Sequence, residues 1–123
     1  EEKQLLLQDL CARLPYGVMM VNKTLKETSY RLSGQDIDEA EFDDEFDDVP
    51  YLRSMSSMTE EERLYFHRNS ARVQILVDEE RAITKPFYGY TVHLIDWLNA
   101  HHFDYRGLIE KGLALEAPEG MYN

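Results

Sequence analysis

Residues 36–48 place nine carboxylates in thirteen positions, with no Lys or Arg among them. No fold can bury such a segment, because an ionised carboxylate taken out of water without a partner is heavily penalised. The chain must therefore keep this stretch at its surface and build its core from what lies on either side. Phe42, Phe46 and Val49 are spaced i, i+4, i+7, as on one face of a helix. Phe42 and Phe46 also share one side of a strand. Crowded like charges weaken both structures. The expectation is a loop or an edge strand over residues 36–48 that docks through its two Phe side chains.

The same segment accounts for most of the net charge of −11. Of 24 Asp and Glu in the chain, nine are here, and the other 15 nearly balance 13 Lys and Arg. A nucleic-acid binder should carry a basic footprint, and none is visible, so direct nucleic-acid binding is not expected. A mimic of nucleic acid would spread its negative field over a whole face rather than confine it to one segment.

With 123 residues, 43% of them hydrophobic and 11% aromatic, residues 1–123 read as one small domain with a real core. No apolar run has the length of a bilayer span, so no membrane partner is expected. No charged-then-apolar leader is visible, and a cytoplasmic location is the expectation. Cys11 is the only cysteine, which excludes an internal disulfide. Set among Leu10 and Ala12, it reads as a small buried hydrophobe.

Residues 4–14 read as a helix, with Leu6, Leu7, Leu10 and Leu14 forming one stripe, ended by Pro15. Residues 18–21 have β character, Asn22-Lys23 reads as a turn, and residues 26–32 as a polar strand closed by Ser33-Gly34. Thr59 and Glu62 form a capping box, and Glu60, Glu61 and Glu62 favour the positive end of a helix dipole. Val73, Ile75 and Val77 alternate, which reads as a strand over residues 72–77. Pro86 suits the first turn of another helix, with Val92, Leu94, Ile95, Trp97 and Leu98 as its apolar stripe, ending near His101. Asp104 reads as the N-cap of a last short helix, with Gly112 at C′ and Leu113 folding back on Leu108. Together these make an α+β fold in which helices pack on a small antiparallel sheet.

Several groups of residues have the chemistry of a site. His93, Asp96, His101 and His102 are competent metal ligands, but eight residues separate His93 from His101, so a single helix turns them apart. The acidic run fails the EF-hand pattern, since Glu41 stands where that loop needs Gly. Ser56 and Ser57 precede the capping box, where local backbone hydrogen bonds account for them. Phe103, Tyr105 and Arg106 read as core packing with Arg106 paired to Asp104 or Glu110, and alternatively as a partner anchor. No Gly-rich phosphate loop is present, and no cofactor is implied.

Three stretches carry a resemblance: LLLQDLCARLPYGVMM at residues 5–20, PYLRSMSSMTEEE at residues 50–62 and HFDYRGLIEKGLALEAPEGMY at residues 102–122. Together they resemble a group of small proteins encoded in gut-bacterial (Bacteroidales-type) genomes and their prophages. The acidic segment and residues 72–89 fall outside the likeness. The resemblance implies an accessory protein linked to a mobile element and assigns no catalytic residue.

Two functional readings follow. The first is a non-enzymatic interaction module in which Phe42, Asp43, Asp44, Phe46, Asp47 and Asp48 meet a protein partner, a basic one by charge. The second is a small metal-binding protein or metal-dependent enzyme using His93, Asp96, His101 and His102. A homo-oligomer is compatible with both.

Overall fold

The computed structural model describes residues 2–43, 45–79 and 85–122, with only the backbone described for 71–79 and 85–91. Helix α1 (Glu2–Arg13) buries Leu6, Leu10, Asp9 and Arg13 on one face. Leucines at helical spacing set that face; the two charged residues on it were not expected there. Leu14–Tyr16 continues as a single 3-10 turn ending at Gly17. Gly17 has φ +70°, and a Cβ there would lie 3.1 Å from the Arg31 guanidinium, so both backbone and space favour glycine. Cys11 faces solvent, because the buried stripe runs through its neighbours Leu10 and Arg13 instead.

Strand β1 (Met19–Asn22) pairs antiparallel with β2 (Tyr30–Arg31) and with β3 (Asp48–Leu52). Strand β4 (Leu115–Glu116) joins β3 in parallel, giving the order β2-β1-β3-β4. The fold is a single small α+β domain, as its sequence predicts, but the sheet is mixed rather than wholly antiparallel. A parallel neighbour needs a long crossover, and here the chain from β3 to β4 contains two helices. The predicted strand over residues 26–32 shortens to Tyr30–Arg31. Asn22 Oδ1 accepts from the Thr24 and Leu25 amides and holds residues 22–26 in a turn.

The acidic segment is neither a loop throughout nor an edge strand. Helix α2 spans Gly34–Phe42 under a capping box between Ser33 and Asp36. The cap and an inward face of Ile37 and Ala40 outweigh charge repulsion, because the acids point to water, where that repulsion is weak. Asp48, at the far end of the segment, already belongs to β3, an inner strand.

Helix α3 (Glu60–Glu79) starts at the predicted capping box: Thr59 N donates to Glu62 Oε1 at 2.9 Å, and Glu62 N donates to Thr59 Oγ1 at 3.1 Å. It runs on through residues 72–77, which the alternation of Val73, Ile75 and Val77 assigns to a strand. β-Branched residues lose only about 0.5 kcal/mol each in a helix, too little to stop one already nucleated and paired. Helix α4 (Lys85–Ala100) lies against α3, with Pro86 at its second position. No helix among the described residues is long and apolar enough to cross a membrane.

After α4 the predicted short helix is reduced to turns: Asp104 reaches amides four and five residues on rather than the two or three of an N-cap, while the predicted C-terminal cap is present. Asp104 accepts from the Leu108 and Ile109 amides at 2.8 and 3.0 Å. Leu113 N donates to Leu108 O and Gly112 N to Ile109 O, with Gly112 at φ +74°. These are the two bonds of a Schellman motif, and Leu113 packs on the cluster containing Leu108 as predicted. One core cluster joins α1, the sheet and this C-terminal segment, while a smaller one of Met58, Leu98 and Phe103 seats the bases of α3 and α4.

Candidate functional site

Helix α2 carries an acidic edge. Asp38, Glu39 and Glu41 are exposed along it, and Phe42 at its end is 80% exposed. Beyond the helix, Asp43 Oδ1 accepts from the Glu45 amide at 2.9 Å and Asp47 Oδ2 accepts from the Thr24 hydroxyl at 2.7 Å. Asp48 is half-buried and accepts from the Tyr30 hydroxyl at 2.5 Å and from Asn22 Nδ2 at 3.1 Å. Burial, followed by the Asp48 carboxylate, pushes the Tyr30 hydroxyl well above its ordinary pKa.

The six residues read as a partner site therefore divide. Phe42 and Asp43 are displayed at the end of α2. Asp47 is exposed but tied to the turn after β1. Asp48 holds the sheet together, and Phe46 packs against the main core. Asp44 lies outside the described residues. Phe46 also helps to line a shallow slot of about 220 Å³ between α1 and α2, floored by Leu6, Leu7 and Ala40 with Asp43 at its rim.

The histidines are dispersed. His93 Nε2 lies 2.7 Å from the Tyr65 hydroxyl, and Asp96 is exposed. The His101 ring sits 4.7 Å from Trp97, with Nδ1 3.6 Å from Glu62 Oε2. His102 adopts φ +64° and turns inward, stacking at 3.7 Å on Tyr122. Among the described residues no group of three or more His, Cys, Asp or Glu is placed to hold a metal. Burial, helped by the charges of Arg13, His101 and Arg53, pulls the His102 pKa down to about 4. Burial likewise pushes Tyr122 up to about 12. Its hydroxyl donates to Tyr51 O and accepts from Met19 N, pinning the C-terminus across β1 and β3.

Two arrangements were not anticipated from the sequence. In the interior, Arg13 Nε donates to Asp9 Oδ2 at 2.8 Å, Arg13 Nη2 to Phe103 O at 2.6 Å, and Arg106 Nε to Asp9 Oδ1 at 3.2 Å. Phe103 is fully buried, so the core reading of Phe103, Tyr105 and Arg106 holds, but the partner of Arg106 is Asp9 rather than Asp104 or Glu110. The signal was present: Asp9 and Arg13 are four apart within a leucine stripe.

The second lies where β3 meets α3. Arg53 forks onto Glu62 with bonds of 2.9 and 2.6 Å and stands 4.2 Å over the Phe103 ring. The Arg53 bonds, assisted by the Thr59 amide, outweigh burial and draw Glu62 down to about 2. Beside it, the Tyr65 ring stacks on Trp97 at 4.7 Å, and the His101 ring lies tilted against Trp97 at the same distance. The stack borders an open groove of about 360 Å³ completed by Thr59, Glu61 and Glu62. On the other side of Arg53 a polar cleft of about 440 Å³ reaches Tyr122. Ser57 Oγ there donates to Ser54 O at 2.6 Å, the local bonding expected of these serines.

Comparison with models of known families, with curated proteins and with solved structures finds no match for this chain.

Proposed function

We propose that the chain is a non-enzymatic interaction module whose acidic α2 edge meets a basic protein partner. The observation that supports this most is Phe42: a large aromatic side chain held 80% exposed amid exposed carboxylates. An aromatic anchor within a charged rim is the usual composition of a binding hot spot. Charge concentrated on one edge steers a partner of opposite sign. The likeness to prophage-encoded proteins supports an accessory role in a mobile element.

The test is enrichment of partners on the immobilised chain, comparing wild type, Phe42→Ser and the triple variant Asp38→Asn/Glu41→Gln/Asp43→Asn. A partner that is retained by wild type, released by moderate salt and lost from both variants supports the reading. Equal retention by all three overturns it.

A further inference from the structure

Two side-chain atoms of the interior, Arg13 Nη1 and His102 Nδ1, are buried and have no hydrogen-bond partner among the described residues. Nearly all buried polar atoms of folded proteins find a partner, either in the protein or in ordered water. These two belong to one place. Arg13 Nη2 donates at 2.6 Å to the carbonyl of Phe103, the residue that follows His102. Of the charges that act on the His102 ring, that of Arg13 is the largest. The same charge acts on Tyr122, on which the His102 ring stacks at 3.7 Å.

The groups around them are already engaged. Arg13 Nε is held by Asp9 and Nη2 by the Phe103 carbonyl. Asp9 also accepts from Arg106, and Asp104 accepts from the Leu108 and Ile109 amides. The Arg13 guanidinium lies 5.3 Å from the Tyr105 ring centroid, a contact too distant to replace a hydrogen bond. The stack on Tyr122 uses the face of the imidazole, whereas the Nδ1 lone pair lies in the plane of the ring.

The two atoms are chemically complementary. Arg13 Nη1 can only donate. His102 Nδ1 accepts when the imidazole is neutral with its proton on Nε2. The nearby Arg13 charge favours that tautomer, because it turns a lone pair toward the cation. A donor and an acceptor that do not bond each other are both satisfied by a molecule that accepts from one and donates to the other. An anion would accept from Nη1 and repel the Nδ1 lone pair. A cation would meet the charges of Arg13 and Arg53. Water does both, and a close-packed interior has room for little more.

We infer that a water molecule is bound inside the fold between Arg13 and His102, accepting from Nη1 and donating to Nδ1. It ties helix α1 to the turn that follows α4. The site is independent of the acidic α2 edge.

A high-resolution crystal structure of the full chain at neutral pH tests this, together with nitrogen-15 spectra of its histidines. One ordered water is expected about 2.9 Å from both atoms, with His102 as the Nε2–H tautomer. The double variant Asp9→Leu/Arg13→Met removes the donor. Magnetic relaxation of water oxygen should then count one long-lived internal water fewer than in wild type. A direct bond between Nη1 and Nδ1, a water on one of the two atoms alone, or a proton on Nδ1 would overturn the inference. An unchanged water count in the folded variant would overturn it as well. Circular dichroism shows whether the variant folds; if it does not, the wild-type density and tautomer decide.

Discussion

Two arginine–carboxylate pairs use the same groups in opposite surroundings. Arg13 and Asp9 are both 0% exposed, whereas Arg53 and Glu62 are 21% and 16% exposed. Inside, every favourable contact has to offset the loss of hydration of two ions, and the site does so with a second cation, Arg106, and a backbone carbonyl. At the surface, water still shares the load, and the pair is left to orient elements: it ties the end of β3 to the first turn of α3. The comparison teaches that burial decides how many partners an ion pair needs to hold its charges: three for the inner pair, one fork for the outer.

The sharpest way to break the comparison is at Asp9. Asp9→Ala leaves Arg13 and Arg106 facing each other without a carboxylate, and should cost about 3–5 kcal/mol. Urea unfolding reads this as a lower midpoint at unchanged slope. The double variant Asp9→Leu/Arg13→Met should recover most of the loss, because it removes the ions with the pair while Arg106 turns to solvent. A loss below about 1 kcal/mol for Asp9→Ala would place this pair in the same class as the surface one.

Arg53→Ala comes next, at about 2 kcal/mol, from the forked bonds and the stacking on Phe103. Its pH signature is more telling than its size. Glu62 titrates near 2 in the folded chain against an ordinary 4.5, so the unfolded chain takes up that proton first. The Arg53–Glu62 contribution is complete above pH 4.5 and drains away as pH falls from 4.5 to 2. Arg53→Ala should flatten that part of the acid-unfolding curve; an unchanged curve would mean that other carboxylates set it.

His102 extends the contrast to a group buried without a counter-charge. Its Nδ1 has no hydrogen-bond partner among the described residues, and burial holds its pKa at about 4 against an ordinary 6.5. Between those values the unfolded chain holds more protons, so stability is present above pH 6.5 and falls as pH drops toward 4. His102→Asn keeps a residue that tolerates φ +64° and should remove this slope, costing about 1 kcal/mol at neutral pH through the lost stack on Tyr122. Retention of the slope in the variant would assign it elsewhere.

What the sequence disclosed follows the same division by environment. Local signals were legible: the Thr59–Glu62 box, Pro86 in a first turn, and the cap at Gly112 and Leu113 are all set by near neighbours in the chain. The capping box of Ser33 and Asp36 is equally local, but the density of like charge after it argues against a helix and masks an S-x-x-D start. Residues 72–77 are helical despite their alternation, because a six-residue pattern cannot outweigh a helix begun twelve residues earlier. The parallel strand β4, the Asp9–Arg106 bond and the Tyr65–Trp97 groove join residues far apart in the chain. No spacing within a segment encodes them. Of the candidate partner residues, Phe42 and Asp43 are exposed at the end of α2, whereas the places of Phe46 and Asp48 depend on which strand the segment enters.

At the exposed end of this scale stand Phe42 and Phe46, two phenylalanines four residues apart with opposite surroundings. Phe46 packs on the main core, and Phe46→Ala should cost about 2 kcal/mol, less than a fully buried Phe because part of its ring is already wet. Phe42 is 80% exposed, so Phe42→Ser should change stability by less than about 0.5 kcal/mol. Side-by-side urea titrations measure both. If Phe42→Ser destabilised the chain as much as Phe46→Ala, its ring would be a structural contact and not one kept free for a partner. If it left stability untouched yet abolished partner retention, fold and binding would be separated at a single residue. The acidic edge would then owe its exposed aromatic to recognition alone.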